Sequence, residues 1–151
     1  MTVRVATEVD ASLSRVFTFM SDFPVLARVL HSATETYFVG DSTTGLGAEW
    51  LQRAPAHGEG MIEARHRIVA FDPPRGFTME TVDASAVETM EFVLTDVGGR
   101  TRIDFTVRAR AATLWLTLFA WLGRGFIRRS MQEDLERLRD TIEGELPLPE
   151  M

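Results

Sequence analysis

The stretch from Ile127 to Ile142 places Ile127, Met131, Leu135, Leu138 and Ile142 at steps of four, four, three and four, one face of a helix with 3.6 residues per turn. Before it, from Thr34 to Ala109, the pattern is that of strands and turns. A chain that ends in one amphipathic helix after so much sheet has few ways to bury both apolar surfaces. The sheet must turn its oily side toward the helix.

Between those apolar positions lie Gln132, Glu133, Asp134, Glu136, Arg137, Arg139 and Asp140, assigned by the period to a wet outer face. Glu133 stands four residues ahead of Arg137, the favourable order for a helix ion pair. The preceding segment, Thr113 to Leu122, is apolar nearly all round and needs cover on more than one side. Read as one helix, Ala111 to Gly144 would be roughly 45 Å long, with Gly144 and Pro147 as its stop. Gly123 and Gly125 are points where it can bend.

At the other end, Val3, Val5, Thr7 and Val9 share one face of a strand. Asp10 or Ser12 can cap a helix carrying Leu13, Val16, Phe17 and Met20. Asp22 and Pro24 open a second short helix with Val25, Leu26, Val29 and Leu30. Six further strands are expected at Thr34 to Val39, Ala48 to Arg53, Met61 to Phe71, Gly76 to Val82, Ala86 to Asp96 and Arg100 to Ala109. The joins at Gly40 to Gly47, Pro55 to Gly58, Asp72 to Gly76 and Gly98-Gly99 are rich in turn residues. No linker or repeat divides residues 1–151, so a single domain is expected.

Parity gives each strand an inner side. Met90, Phe92 and Leu94 share one face, and Ile103, Phe105, Val107 and Ala109 another, each opposite polar residues. On the fourth strand Ile62, Ala64, His66, Ile68 and Ala70 share the inner side, where small Ala64 and Ala70 leave room beside His66. A strongly curved sheet and one helix need not meet everywhere, so a cavity between them is expected.

Composition excludes several chemistries. The chain has no Cys, its sixteen basic residues are all Arg, and Asn is absent. Thiolate catalysis, disulfides and lysine Schiff bases are therefore excluded. A net charge of -6 argues against generic nucleic-acid binding. The longest strongly apolar run, Leu114 to Leu122, is far short of the roughly 20 residues a span needs, and a cytoplasmic protein is expected. Gly40 and Gly45 have phosphate-loop spacing, but Leu46-Gly47 stands where Lys and Ser or Thr are required. His57, Glu59 and His66 have no metal-site spacing, and there is no G-x-S-x-G elbow, so neither a metal, a cofactor nor an esterase triad is indicated.

His66 and Glu88 are then the candidates for acid-base chemistry. Glu88 has the parity of Met90 and Phe92 and falls at the rim of the same cavity. If Phe71 pairs with Phe77 and Val82 lies near Ala86, the two are two strands apart, about 10 to 12 Å between backbones. They would flank a small substrate without touching. The plainer reading of a histidine on an apolar strand face is a hydrogen-bonded wall residue. The side chains expected to border a ligand are Trp50, Gln52, Ala64, His66, Met79 and Glu88 from the earlier strands. Met90, Phe92, Phe105, Trp121, Ile127 and Met131 complete the set. Tyr37 and His31 are further candidates.

Gly45-Leu-Gly-Ala48, Val69-Ala-Phe-Asp-Pro-Pro-Arg75 at a hairpin and the ending Leu135-Glu-Arg-Leu-Arg-Asp-Thr-Ile-Glu143, in this order of elements, resemble the START-like, Bet v 1-like (SRPBCC) superfamily. Within it the chain is similar to the polyketide cyclase/dehydrase-like group of bacterial small-molecule-binding proteins. The resemblance covers essentially the whole chain. It implies an α+β helix-grip fold, a seven-stranded antiparallel sheet around a long C-terminal helix and a hydrophobic ligand cavity. It implies no single reaction, because members include cyclases as well as carriers and receptors.

Binding of a hydrophobic small molecule of lipid, polyketide or aromatic type is thus the leading expectation. A cyclase/dehydrase enzyme using His66 and Glu88 is the alternative, and a membrane-facing lipid or quinone chaperone the second. Trp115, Leu118, Phe119, Trp121 and Leu122, followed by Arg124, Arg128 and Arg129, suit a ligand portal, a homodimer contact or a membrane surface. The loop from Gly40 to Gly47 is another possible cover for them. The acidic balance of the whole chain favours portal or dimer over anionic lipid.

Overall fold

The computed structural model describes residues 1–30, 35–55, 60–82, 86–111 and 122–144. The elements run β1 (Thr2–Val9), α1 (Leu13–Met20), α2 (Phe23–Leu30), β2 (Glu35–Val39), β3 (Glu49–Pro55), β4 (Met61–Asp72), β5 (Gly76–Val82), β6 (Ala86–Val97), β7 (Arg100–Ala111) and α3 (Arg124–Ile142). All seven strands form one curved antiparallel sheet in the order β1-β7-β6-β5-β4-β3-β2. From β2 to β7, neighbours in sequence are neighbours in space, and β1 closes onto β7. The helices lie on the apolar side, with α3 against β1 and α2.

Local chemistry explains the joins. The Ser12 hydroxyl accepts from the Arg15 N–H at 3.3 Å, capping α1. The Asp22 carbonyl accepts the first bond of α2 from Leu26 at 2.9 Å. Gly98 and Gly99 both hold positive φ, 69° and 88°, as a two-residue hairpin turn requires. At Gly76 the constraint is steric: a Cβ there would stand 2.0 Å from the Phe92 carbonyl oxygen.

The inner faces of β6 and β7 follow parity, with Met90, Phe92, Leu94, Ile103, Phe105 and Val107 all buried. On α3 the buried residues Met131, Leu135, Leu138 and Ile142 are those the period assigns. Other expectations are corrected. Ala111 does not start a helix: it ends β7, paired with Ala86, and α3 begins at Arg124 after a turn at Gly123. At 19 residues α3 is about 28 Å long. Arg137 bonds Asp134 at 3.3 Å, one turn back, rather than Glu133.

On β4 the register slips between Ile68, opposite Met79, and Ala70, opposite Thr78. The extra residue, Val69, is a bulge and reverses the parity beyond it. Ala70 is therefore exposed, while Phe71 turns in to meet Phe17 at 5.5 Å. Ile62, near the other end of the strand, keeps the parity of Ala64 and His66 but is 49% exposed.

Candidate ligand cavity

One cross-strand row sets the polar geometry of the concave face. Phe38, Trp50, His66, Thr81, Glu88 and Ala109 are successive register partners from β2 to β7. Trp50 stacks between Phe38 and His66, with both centroid distances 5.4 Å. The indole Nε1 of Trp50 is buried without an acceptor among the described residues. His66, 2% exposed, shares a hydrogen bond of 2.7 Å between its Nδ1 and Thr81 Oγ1. Thr81 stands beside Glu88, so His66 and Glu88 are two strands apart, as the assumed pairings required.

Glu88 and Ala109 open onto a cavity of about 130 Å³. Its walls are Met90 from β6, Phe105 and Val107 from β7, Leu30 from α2, Ile127, Met131 and Asp134 from α3, and Met1. Apolar groups dominate, with Glu88 on the sheet side and Asp134 on the helix side. Burial pushes the Asp134 carboxyl up to about 6, outweighing the Arg137 guanidinium that pulls it down. Arg137 also donates to the Val29 carbonyl at 3.2 Å, tying α3 to α2 beside the cavity.

Of the residues expected to border a ligand, Glu88, Met90, Phe105, Ile127 and Met131 line this space together. Trp50, His66, Met79 and Phe92 belong to the packed core alongside it. Gln52 is buried and donates to the Ala27 carbonyl of α2 at 3.4 Å, and Ala64 is its half-buried neighbour on β4. Tyr37 is 50% exposed and bonds Glu35, so it faces away from the cavity. The loop Gly40 to Gly47 is tethered to the end of α1, where Thr44 donates to the Ser21 carbonyl at 2.8 Å. His31, His57, Glu59, Trp115, Leu118, Phe119, Trp121 and Pro147 lie outside the described residues.

Asp134 is the residue that sequence reading passed over. Its charge suggested the wet side, yet it stands three residues after Met131 and four before Leu138, which is the buried spacing. Position outranked polarity here.

The family model described as polyketide cyclase / dehydrase and lipid transport matches residues 1–143. The chain belongs to this family. Solved structures agree on the fold of this family member. A conserved protein from Geobacillus kaustophilus superposes with a TM-score of 0.77 at 10% identity, covering 95% of this chain and 96% of that one. A protein from Thermus thermophilus gives 0.68 at 20% identity, with 95% of each chain covered. Ara h 8.0201 gives 0.71 at 10% identity, covering 95% and 98%. At such identities the likeness concerns the fold alone. No curated protein matches the sequence.

Proposed function

We propose that the protein binds a small hydrophobic molecule, of lipid, polyketide or aromatic type, between α3 and the β6–β7 part of the sheet. The observation that carries this reading is an apolar space of about 130 Å³ with two carboxyl groups, Glu88 and Asp134, among its walls. A dry apolar cavity of about 150 Å³ holds one benzene ring, so the space is on the scale of a single ring or a short acyl end, with a small outward movement of its walls. Typical ligand sites run from about 300 Å³ upward, so a larger guest needs the walls to part. The carboxyl groups give such a guest something to orient its hydrogen-bond donor.

The test is calorimetric titration with p-cresol, one ring bearing one donor, alongside native mass spectrometry of gently purified protein for a retained molecule. Ala109→Leu puts a branched side chain into the space and is expected to weaken p-cresol at least about tenfold, the equivalent of 1.4 kcal/mol. Equal affinity in the variant would remove the cavity as the binding place.

A cyclase/dehydrase reaction is the second reading, favoured by one observation. Asp134, pushed up to about 6 by burial, lines the same space as Glu88, which puts one carboxyl on the helix side and one on the sheet side of a guest. His66 would serve from two strands away through the row it shares with Thr81. With the molecule recovered from the protein as substrate, Glu88→Gln and His66→Ala should abolish turnover while binding persists. Unchanged chemistry in both variants would leave binding alone.

A further inference from the structure

We propose that the end of the molecule around the start of α3 docks onto an anionic phospholipid bilayer. The chain is acidic overall, at -6, yet residues 105–132 contain Arg108, Arg110, Arg124, Arg128 and Arg129 and not one Asp or Glu. The fold keeps several of these charges at one corner. Arg124 donates to the Thr2 carbonyl at 3.0 Å, and Thr2 is the register partner of Arg108. Arg128 and Arg129 share a groove with Arg4 of β1. None of these arginines is in an ion pair among the described residues.

The same corner is greasy. Leu122 is 66% and Phe126 76% exposed, more than any other large hydrophobic described except Leu46, at 68%, which exceeds Leu122 alone. They stand four residues apart beside Gly123 and Gly125, and α3 has no acidic residue in its first turn. Apolar side chains interleaved with arginines are what a bilayer interface accepts: the leucine and phenylalanine side chains enter the acyl boundary while the guanidinium groups meet phosphate. Glu133 and Glu136 lie farther along the groove, so the approach is end-on, with α3 leading. Charge is screened within about 8 Å at physiological salt, so acidic groups beyond that distance do not cancel this corner's attraction, and among its own carboxylates Glu133, one turn from Arg129, opposes it.

Met1, Ala109 and Ile127 of the cavity wall adjoin these residues: Ile127 follows Phe126, and Ala109 lies between Arg108 and Arg110. Docking stands by itself. Its consequence, that the guest is exchanged with the bilayer rather than with water, rests on the binding reading above.

Vesicle flotation with phosphatidylcholine, with and without phosphatidylglycerol, is the experiment. The protein is expected to float with the anionic vesicles only, about tenfold less so in high salt. Arg128→Glu combined with Arg129→Glu should cost at least about tenfold in partitioning, and Phe126→Asp a comparable loss. Both variants should still bind p-cresol in solution, so docking and cavity can fail separately. Wild-type protein that stays behind with either vesicle, or variants that float equally well, would overturn the proposal. So would a dimer in sedimentation velocity that Phe126→Asp dissolves without any vesicle binding, which assigns the face to a second copy.

Discussion

The two halves of the concave face solve the same problem differently. Under α1 and α2 the space is filled by rings: Phe23 stacks on Trp50 at 5.4 Å and meets Phe77 edge-on at 5.2 Å, and Phe77 lies 5.1 Å from Phe92. Where β6 starts and β7 ends, the inward residues are Glu88, Met90, Val107 and Ala109, and the opposing helix offers Ile127, Met131 and Asp134. Flexible thioethers, a bare alanine and two carboxyls do not close a core. Phe105 stands at the border, stacked on Phe92 at 4.4 Å and also lining the cavity. The first half makes the fold stable. The second half leaves a space beside it.

The contrast is sharpest under large-to-small substitution. Phe23 is wholly buried and touches three rings, so Phe23→Ala is expected to cost about 3–5 kcal/mol in urea unfolding. A cost below about 1 kcal/mol would mean that the ring-filled half does not carry stability. Gly76→Ala comes next, because its Cβ would run into the Phe92 carbonyl at a backbone φ of 149°. Such strain costs about 1–3 kcal/mol, visible as a lower melting temperature.

In the other half, Ala109→Leu adds bulk to an existing void and should change stability by less than about 1 kcal/mol while weakening p-cresol at least about tenfold. A loss as large as that of Phe23→Ala would show that both halves are equally tight. The remaining effect is a pH slope. Asp134 ionises near 3.8 in the unfolded chain and about 6 in the folded one, so the folded state holds the extra proton between those values. Stability contributed by the protonated carboxyl is complete below about 4 and lost as pH rises through 6. Urea midpoints measured at pH 4.5 and pH 7 should differ less in Asp134→Asn than in the wild type. An unchanged difference would trace the slope to another group.

Much of this fold was readable from residue spacing. The period of two on β1, β6 and β7 put the right side chains inward, and the paired glycines at 98 and 99 marked their hairpin. The candidate site was only half readable. Glu88, Met90, Phe105, Ile127 and Met131 were named from parity and helical period, and they converge on the cavity. Asp134 was missed because its charge was weighed above its position. Ala70 was misplaced because a bulge leaves no mark in an alternating sequence until the partner strand is laid beside it.

The sequence by itself determined which surface of each strand and of α3 would avoid water, since that follows from periods of 2 and 3.6 and from the transfer of apolar groups. It also determined the family, through a match that runs over residues 1–143. Only the tertiary structure decided where those surfaces meet and where they stand apart. Contact depends on how a curved sheet and a straight helix diverge, and on the volume of side chains brought together from β6, β7, α2 and α3. No single segment encodes that volume, and so no single segment could have announced the cavity.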